Sequence, residues 1–187
     1  MAPIHDAAQK GDLQKVKDIA YADPSAVHAK GGSENTPLHL AAYHDHAHMV
    51  KELLRRGADI EARDRHKNTP LHLAAMSGHA HVVKELLERG AVIDARAIDE
   101  NTPLHFAAEK GHAHVVKELL RRGADVDARN EYGYTPLMLA AYNGHLAAAL
   151  ALLAHGADPK ARNMDNWNAL RCAKWNAKRG KNNQWEA

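Results

Sequence analysis

"NTPLHLAA" occupies residues 35–42 and returns at 68–75; "NTPLHFAA" follows at 101–108 and "YTPLMLAA" at 134–141. The threonines Thr36, Thr69, Thr102 and Thr135 are each 33 residues apart. Threonine offers a side-chain oxygen that can cap a helix start. Proline suits the first helical turn, where its missing N–H breaks no bond. Leu and the Ala pair then make the buried face of a short helix, and Ala lets neighbouring helices approach closely. Gly78, Gly111 and Gly144 end that helix at a position that tolerates φ > 0. "HVVKELLERG" (81–90) reads as a second, amphipathic helix. Val82, Val83, Leu86 and Leu87 face inward, and Lys84, Glu85 and Glu88 mostly outward.

One such helix pair cannot bury its own apolar face, whereas stacked pairs can, each touching only its neighbours. Other features recur in phase: Gly-His at 78–79, 111–112 and 144–145, Leu-Leu at 53–54, 86–87, 119–120 and 152–153, and Gly-Ala at 57–58, 90–91, 123–124 and 156–157. On these motifs the chain resembles the ankyrin-repeat family over nearly its whole length. The resemblance implies an all-α repeat solenoid of stacked helix-turn-helix units with projecting β-hairpin or turn tips.

A single repeat domain is expected. Residues 1–30 form an N-terminal capping unit, 31–63, 64–96, 97–129 and 130–162 full repeats, and 163–187 a degenerate C-terminal capping unit with a basic tail. "NALRCAKWNAK" (168–178) holds the Thr-Pro-Leu-His register of that last unit. The chain departs from the family pattern at several turns. Only Gly133 supplies the tip glycine, replaced by Glu34, Lys67, Glu100 and Asn166; Asp45 replaces the inter-helix glycine, and Met138 and Arg171 replace the motif histidine.

No apolar run approaches the roughly 20 residues of a membrane span. The start, "MAPIHDAAQKGDLQKV", lacks the basic-then-apolar order of a signal peptide. The single cysteine, Cys172, excludes an internal disulfide and a C-x-x-C site, and an intracellular, cytoplasmic location is expected. Net charge is +2, but residues 160–187 hold seven Lys/Arg against two Asp/Glu. Basic residues beside Trp167, Trp175 and Trp185 keep open an alternative, a nucleic-acid-binding tail.

There are 15 histidines. His5, His39, His72 and His105 share the motif position, and His46, His79, His112 and His145 open the second helices; the resemblance implies structural roles for both sets, bonding loop backbone and the threonine hydroxyl. "HDHAH" (44–48) and the "HAH" at 79–81 and 112–114 look like ligand sets, yet helical residues two apart do not share a face. His48, His81 and His114 recur once per unit, about 10 Å apart, far beyond the ~2 Å of a metal–nitrogen bond. No metal, cofactor or catalytic residue is expected. No Ser-His-Asp order, phosphate loop or paired carboxylate set stands out, and Cys172 aligns with the first-helix core positions Leu40, Leu73, Phe106 and Leu139.

A basic column, Lys30, Arg63, Arg96, Arg129 and Arg162, precedes each tip. It reads either as pairing with local acids such as Glu61, Asp64, Asp94 and Asp127 or as a positive edge suited to an acidic partner. The resemblance places partner contacts on tips and first helices, on the concave side. Those positions carry Tyr43, His44, Arg65, His66, Met76, Ile98, Asp99, Glu109, Lys110, Tyr132, Tyr134, Tyr142, Asn143 and Trp167. Interfaces favour Tyr, Trp and Arg anchors, so a monomeric, non-catalytic scaffold that binds another protein is expected, with neither membrane nor nucleic acid as the main partner. "LAAALALLAHGA" (146–157) lacks the Lys-Glu-Arg outer face of its predecessors. Leu170, Cys172 and Trp175 are expected to pack on that fourth repeat, and Trp185 to stay mobile.

Overall fold

Each Thr-Pro start opens a short helix. The computed structural model describes residues 3–182. Its helices are α1 (Pro3–Lys10), α2 (Leu13–Ala22), α3 (Pro37–Tyr43), α4 (Ala47–Arg55), α5 (Pro70–Ser77), α6 (Ala80–Glu88), α7 (Pro103–Glu109), α8 (Ala113–Arg121), α9 (Pro136–Tyr142), α10 (Leu146–Ala154) and α11 (Ala169–Asn182). Helices α1 to α10 form five helix-turn-helix pairs, and α11 stands alone among the described residues. First helices (α1, α3, α5, α7, α9, α11) stack in one layer and second helices (α2, α4, α6, α8, α10) in another. The first-helix layer is the more closely packed, because buried Ala41, Ala74, Ala107 and Ala140 keep its helices near one another. That layer is therefore the inner, concave side.

The core runs unbroken between the layers. Leu38, Leu71, Leu104 and Leu137 of the first helices are buried against Val50, Val83 and Val116, and against Leu53, Leu86, Leu119 and Leu152, of the second. Leu87 departs from the expectation: Leu86 is fully buried, but Leu87 is half-buried. A step of one residue rotates the side chain about 100° around a helix, which carries Leu87 to the edge of the buried stripe.

The tips also depart from expectation. No β-strand forms among the described residues. Each tip is a closed turn: the N–H of Gly31, Asp64, Ala97, Asn130 and Asn163 donates to the carbonyl of Asn35, Asn68, Asn101, Tyr134 and Trp167 respectively, at 2.8–3.1 Å. Successive tips share one backbone bond apiece: Arg65 to Ser33 and Ile98 to His66, both 2.9 Å, Glu131 to Asp99 at 2.8 Å, and Met164 to Tyr132 at 3.1 Å. A left-handed residue two positions after each of these donors turns the chain back before a second rung can form. Those residues are Lys67 (φ 58°), Glu100 (58°), Gly133 (76°) and Asn166 (62°), with Glu34 (59°) at the first tip.

At the C-terminal end, Cys172 is buried, but Leu170 and Trp175 are exposed. Helix α11 packs on α9, and among the described residues no helix covers the far side of α10. Ala177 stands where Gly144 breaks the preceding pair, and α11 runs straight through that position instead of turning back over α10. Trp185 lies outside the described residues.

Two substitutions check this packing. Leu86→Ala is expected to cost about 2–5 kcal/mol, and Leu87→Ala only about 1 kcal/mol, in chemical denaturation; equal losses would contradict the burial difference. Lys67→Gly is expected to stabilise by about 0.5–1 kcal/mol. It relieves a left-handed side chain costing ~1–2 kcal/mol against the ~0.5–1 kcal/mol entropic cost of glycine.

Candidate functional site

The candidate surface is best defined by removing what the frame consumes, starting with the motif histidines. The backbone N–H groups of Thr36, Thr69 and Thr102 donate to Nδ1 of His39, His72 and His105 at 3.1–3.2 Å, and the threonine hydroxyls lie 2.9 Å from the same nitrogens. A nitrogen that accepts an N–H carries no proton, so Nε2 holds the ring's proton. It donates onward to the next unit: His39 to the Asn68 carbonyl (3.0 Å), His72 to Asn101 (3.2 Å) and His105 to Tyr134 (3.0 Å). His5 makes the same bond to Asn35, at 2.9 Å.

The second-helix histidines bond in the opposite direction along the stack. Nε2 of His46, His79 and His112 reaches back to the carbonyls of Gln9, Tyr43 and Met76 at 2.9–3.0 Å. The glycines make room for these rings: a Cβ at Gly78 would lie 2.7 Å from His112, and one at Gly111 2.6 Å from His145. At the end of the row Asn176 substitutes, its amide donating to the Tyr142 carbonyl at 3.0 Å. His114 also bonds backbone, at the Gly78 carbonyl (2.8 Å). Among the described residues no three His, Cys, Asp or Glu side chains gather as a metal-binding group.

The basic column is committed to backbone. Arg63 donates to the carbonyl of Arg96 (2.8 Å), Arg96 to that of Arg129 (2.7 Å), Arg129 to that of Arg162 (2.6 Å), and Arg162 to Asn166 (3.2 Å); Lys30 pairs with Glu34 at 2.8 Å. For the arginines these carbonyl bonds take the place of pairing with the local acids, whereas Lys30 pairs with the acid of its own tip. The acids serve the frame separately: Glu61 accepts the N–H of Val92, Asp94 that of Asp125, and Asp127 that of Asp158, while Asp64 accepts the N–H groups of His66 and Asn68 within its own tip. In sequence, the only sign of the arginine ladder is its position immediately before each tip. Nothing in sequence marks Asn176, because it falls outside the histidine register.

What remains is a set of equivalent positions with differing side chains. The last turn of the first helices presents Tyr43, Met76, Glu109 and Tyr142, followed by His44, Ser77, Lys110 and Asn143. The tips present Arg65, Ile98, Glu131 and Met164, followed by His66, Asp99, Tyr132 and Asp165. Tyr43, Arg65, His66, Ile98, Lys110, Tyr132 and Asn143 are exposed; His44, Met76, Asp99, Glu109 and Tyr142 are half-buried. Tyr134 and Trp167 are half-buried; Tyr134 stands beside the Thr135-Pro136 start and Trp167 beside Asn168-Ala169 at the same register, not at the tip apex. Trp167 meets Trp175 edge-to-face with centroids 5.8 Å apart, and the Arg171 guanidinium lies 4.7 Å from the Trp167 ring centre. Tyr132 and Tyr142 belong to the tip and first-helix rows, so the four C-terminal aromatics do not share one patch.

Burial pushes the pKa of both His72 and His105 down to about 4, and it lowers that of His39 in the same way. The unfolded chain binds these protons near pH ~6.5. Stability from the neutral rings is therefore complete above that value and is lost as pH falls from about 6.5 toward 4. At pH ~5 each of His72 and His105 is expected to cost on the order of 2 kcal/mol. A melting temperature lower at pH 5 than at pH 7.5 is the expected result. His105→Met, which copies Met138 of the next unit, should flatten that acid limb; an unchanged limb would contradict the assignment.

Comparison with known proteins agrees with this geometry. The family described as Ankyrin repeats (3 copies) matches residues 4–97 and 92–163. Over 58 residues the chain is 41% identical to the serine/threonine-protein kinase VIK of Arabidopsis thaliana, covering 31% of this chain and 13% of the kinase. It is 36% identical over 61 residues to alpha-latrocrustotoxin-Lt1a of Latrodectus tredecimguttatus, covering 33% of this chain and 4% of the toxin. It is 39% identical over 56 residues to the human ankyrin repeat domain-containing protein 49, covering 30% of this chain and 23% of that protein. These matches thus span less than a quarter of each relative's length. With the family matched across most of its length and the stacked helix pairs that the match implies, the chain belongs to the ankyrin-repeat family, whose repeats generally mediate protein–protein interactions.

Proposed function

We propose that this protein is a non-catalytic binding module that engages another protein through its concave face, built from the tips and the first helices. One observation carries this reading. The Thr-Pro-Leu frame and the histidine and arginine ladders repeat from unit to unit, while the exposed positions beside them change at every step. Tyr43, Met76, Glu109 and Tyr142 share one register position, and no two neighbours in that row carry the same side chain. Uniform stacking holds this mixed surface rigid, so a partner is met by a pre-organised face at low conformational cost. Tyr43, Tyr132 and Tyr142 are the anchors of choice, since aromatics dominate interface energetics. The arginine column spends donors on backbone, which gives it a structural task and leaves recognition to the neighbouring side chains.

Affinity capture run in parallel with three proteins tests this: the unaltered chain, Tyr43→Ala/Tyr132→Ala/Tyr142→Ala, and the outer-face variant Lys84→Ala/Lys117→Ala. Proteins retained by the first and third and lost from the second are expected. Their Kd should weaken about 30-fold in the tyrosine variant, equivalent to ~2 kcal/mol. Loss from the outer-face variant alone would move the site to the convex side.

A further inference from the structure

Every second helix that follows another sits in the same kind of seat. Helix α6 rests against α5 of its own pair and α4 of the preceding one, α8 against α7 and α6, and α10 against α9 and α8. Beyond α10 the next seat is formed on both walls, and among the described residues no second helix lies in it.

One wall is the far side of α10. Ala149 is half-buried there, whereas its counterparts Val50, Val83 and Val116 are fully buried. Leu153 is exposed, whereas Leu54, Leu87 and Leu120 are half-buried. With exposed Leu146 and Leu150 they make an apolar stripe at i, i+3, i+4 and i+7, on a helix without a charged residue. The other wall is α11. Leu170 is 61% exposed, whereas Leu38, Leu71, Leu104 and Leu137 at its register are at most 2% exposed. Ala173 is likewise exposed where Ala41, Ala74, Ala107 and Ala140 are fully buried.

Charge selects the occupant. Lys174 stands where Ala42, Ala75 and Ala108 are fully buried beneath their second helices. A helix seated here must place a carboxylate against that ammonium, since an unpaired buried charge is costly. Helix α11 contains Arg171, Lys174, Lys178, Arg179 and Lys181 and no acid. A second copy of the chain brings no acid to Lys174: its α4, α6 and α8 are already seated, its open α10 carries no charged residue, and its α11 brings like charge.

We propose that the C-terminal end of the solenoid is a docking groove for an amphipathic helix of a partner protein, one with an apolar i, i+3, i+4, i+7 stripe and an acidic flank facing Lys174. This contact continues the second-helix stack and is separate from the concave face.

Two fluorescein-labelled 14-residue helical peptides test it, sharing a Leu stripe at that spacing and flanked by Glu in one and Lys in the other. Fluorescence anisotropy is expected to show the Glu peptide binding about tenfold more tightly. Leu146→Gln/Leu153→Gln should weaken it about tenfold without changing thermal melting, because both side chains are exposed. Lys174→Ala should narrow the gap between the peptides. Tyr43→Ala/Tyr132→Ala should leave binding unchanged, which separates this groove from the concave site. The proposal is overturned if neither peptide binds, if binding survives Leu146→Gln/Leu153→Gln or falls in Tyr43→Ala/Tyr132→Ala, or if the two peptides bind equally. Sedimentation showing a dimer that Leu146→Gln/Leu153→Gln dissolves would give the groove to a second copy and overturn it as well.

Discussion

The imidazole of His72 accepts the Thr69 amide on Nδ1 and gives the one proton on Nε2 to the carbonyl of Asn101 in the next unit. A single side chain thereby fixes a helix start and spaces two units. The bond works in both directions only while the ring is neutral, and burial against Leu and Ala keeps it so. Because His39 and His105 repeat the arrangement, unit spacing is set by a hydrogen-bond length as well as by apolar contact. Apolar packing alone tolerates sliding; a directional bond to one carbonyl does not.

Other rows work in parallel with this one. Second-helix histidines reach back one unit, arginines beside the tips reach forward one unit, and Glu61, Asp94 and Asp127 receive amides from the following unit. All of them join nearest neighbours only, the condition under which a solenoid behaves as a one-dimensional stack. Residues that look chemically active in isolation, notably the histidines and the basic column, are largely absorbed by this arrangement. The face available to a partner is what the rows leave over.

Much of this was legible in the sequence because the period is strict. A Thr-Pro start, a Leu-Ala-Ala face and a Gly-His break placed the helices and the first-helix surface. Three features were not legible, each for a physical reason. The tips are not told from hairpins by sequence, since left-handed residues such as Lys67, or the Asp99-Glu100 pair, decide whether a second rung forms, and none of them announces that conformation. The partners of the arginines are not legible because sequence shows nearby acids but not carbonyls one unit away. Leu87 looked as buried as Leu86 because a doubled apolar pair does not reveal which member lies at the stripe's edge. The rows of candidate contact residues follow from register, and no sequence signal distinguishes among their members.

The two layers end differently at α11. On the first-helix side α9 is covered by α11: Cys172 is buried, Asn176 takes the bond that a histidine makes elsewhere, and buried Met138 removes the titratable ring from the last interface. On the second-helix side, Leu146, Leu150, Leu153 and Leu170 remain open. Here α10 has exchanged Lys117 for exposed Leu150 and Arg121 for exposed Ala154, while the α11 wall has exchanged a buried alanine for Lys174. One wall has become more apolar and the other cationic, so this end differs chemically from the interior seats, where Lys51 faces Glu85 across the units. The fold tolerates the change because nearest-neighbour stacking confines it to the terminal unit: α8 and α9 hold α10 in place whatever its far side presents.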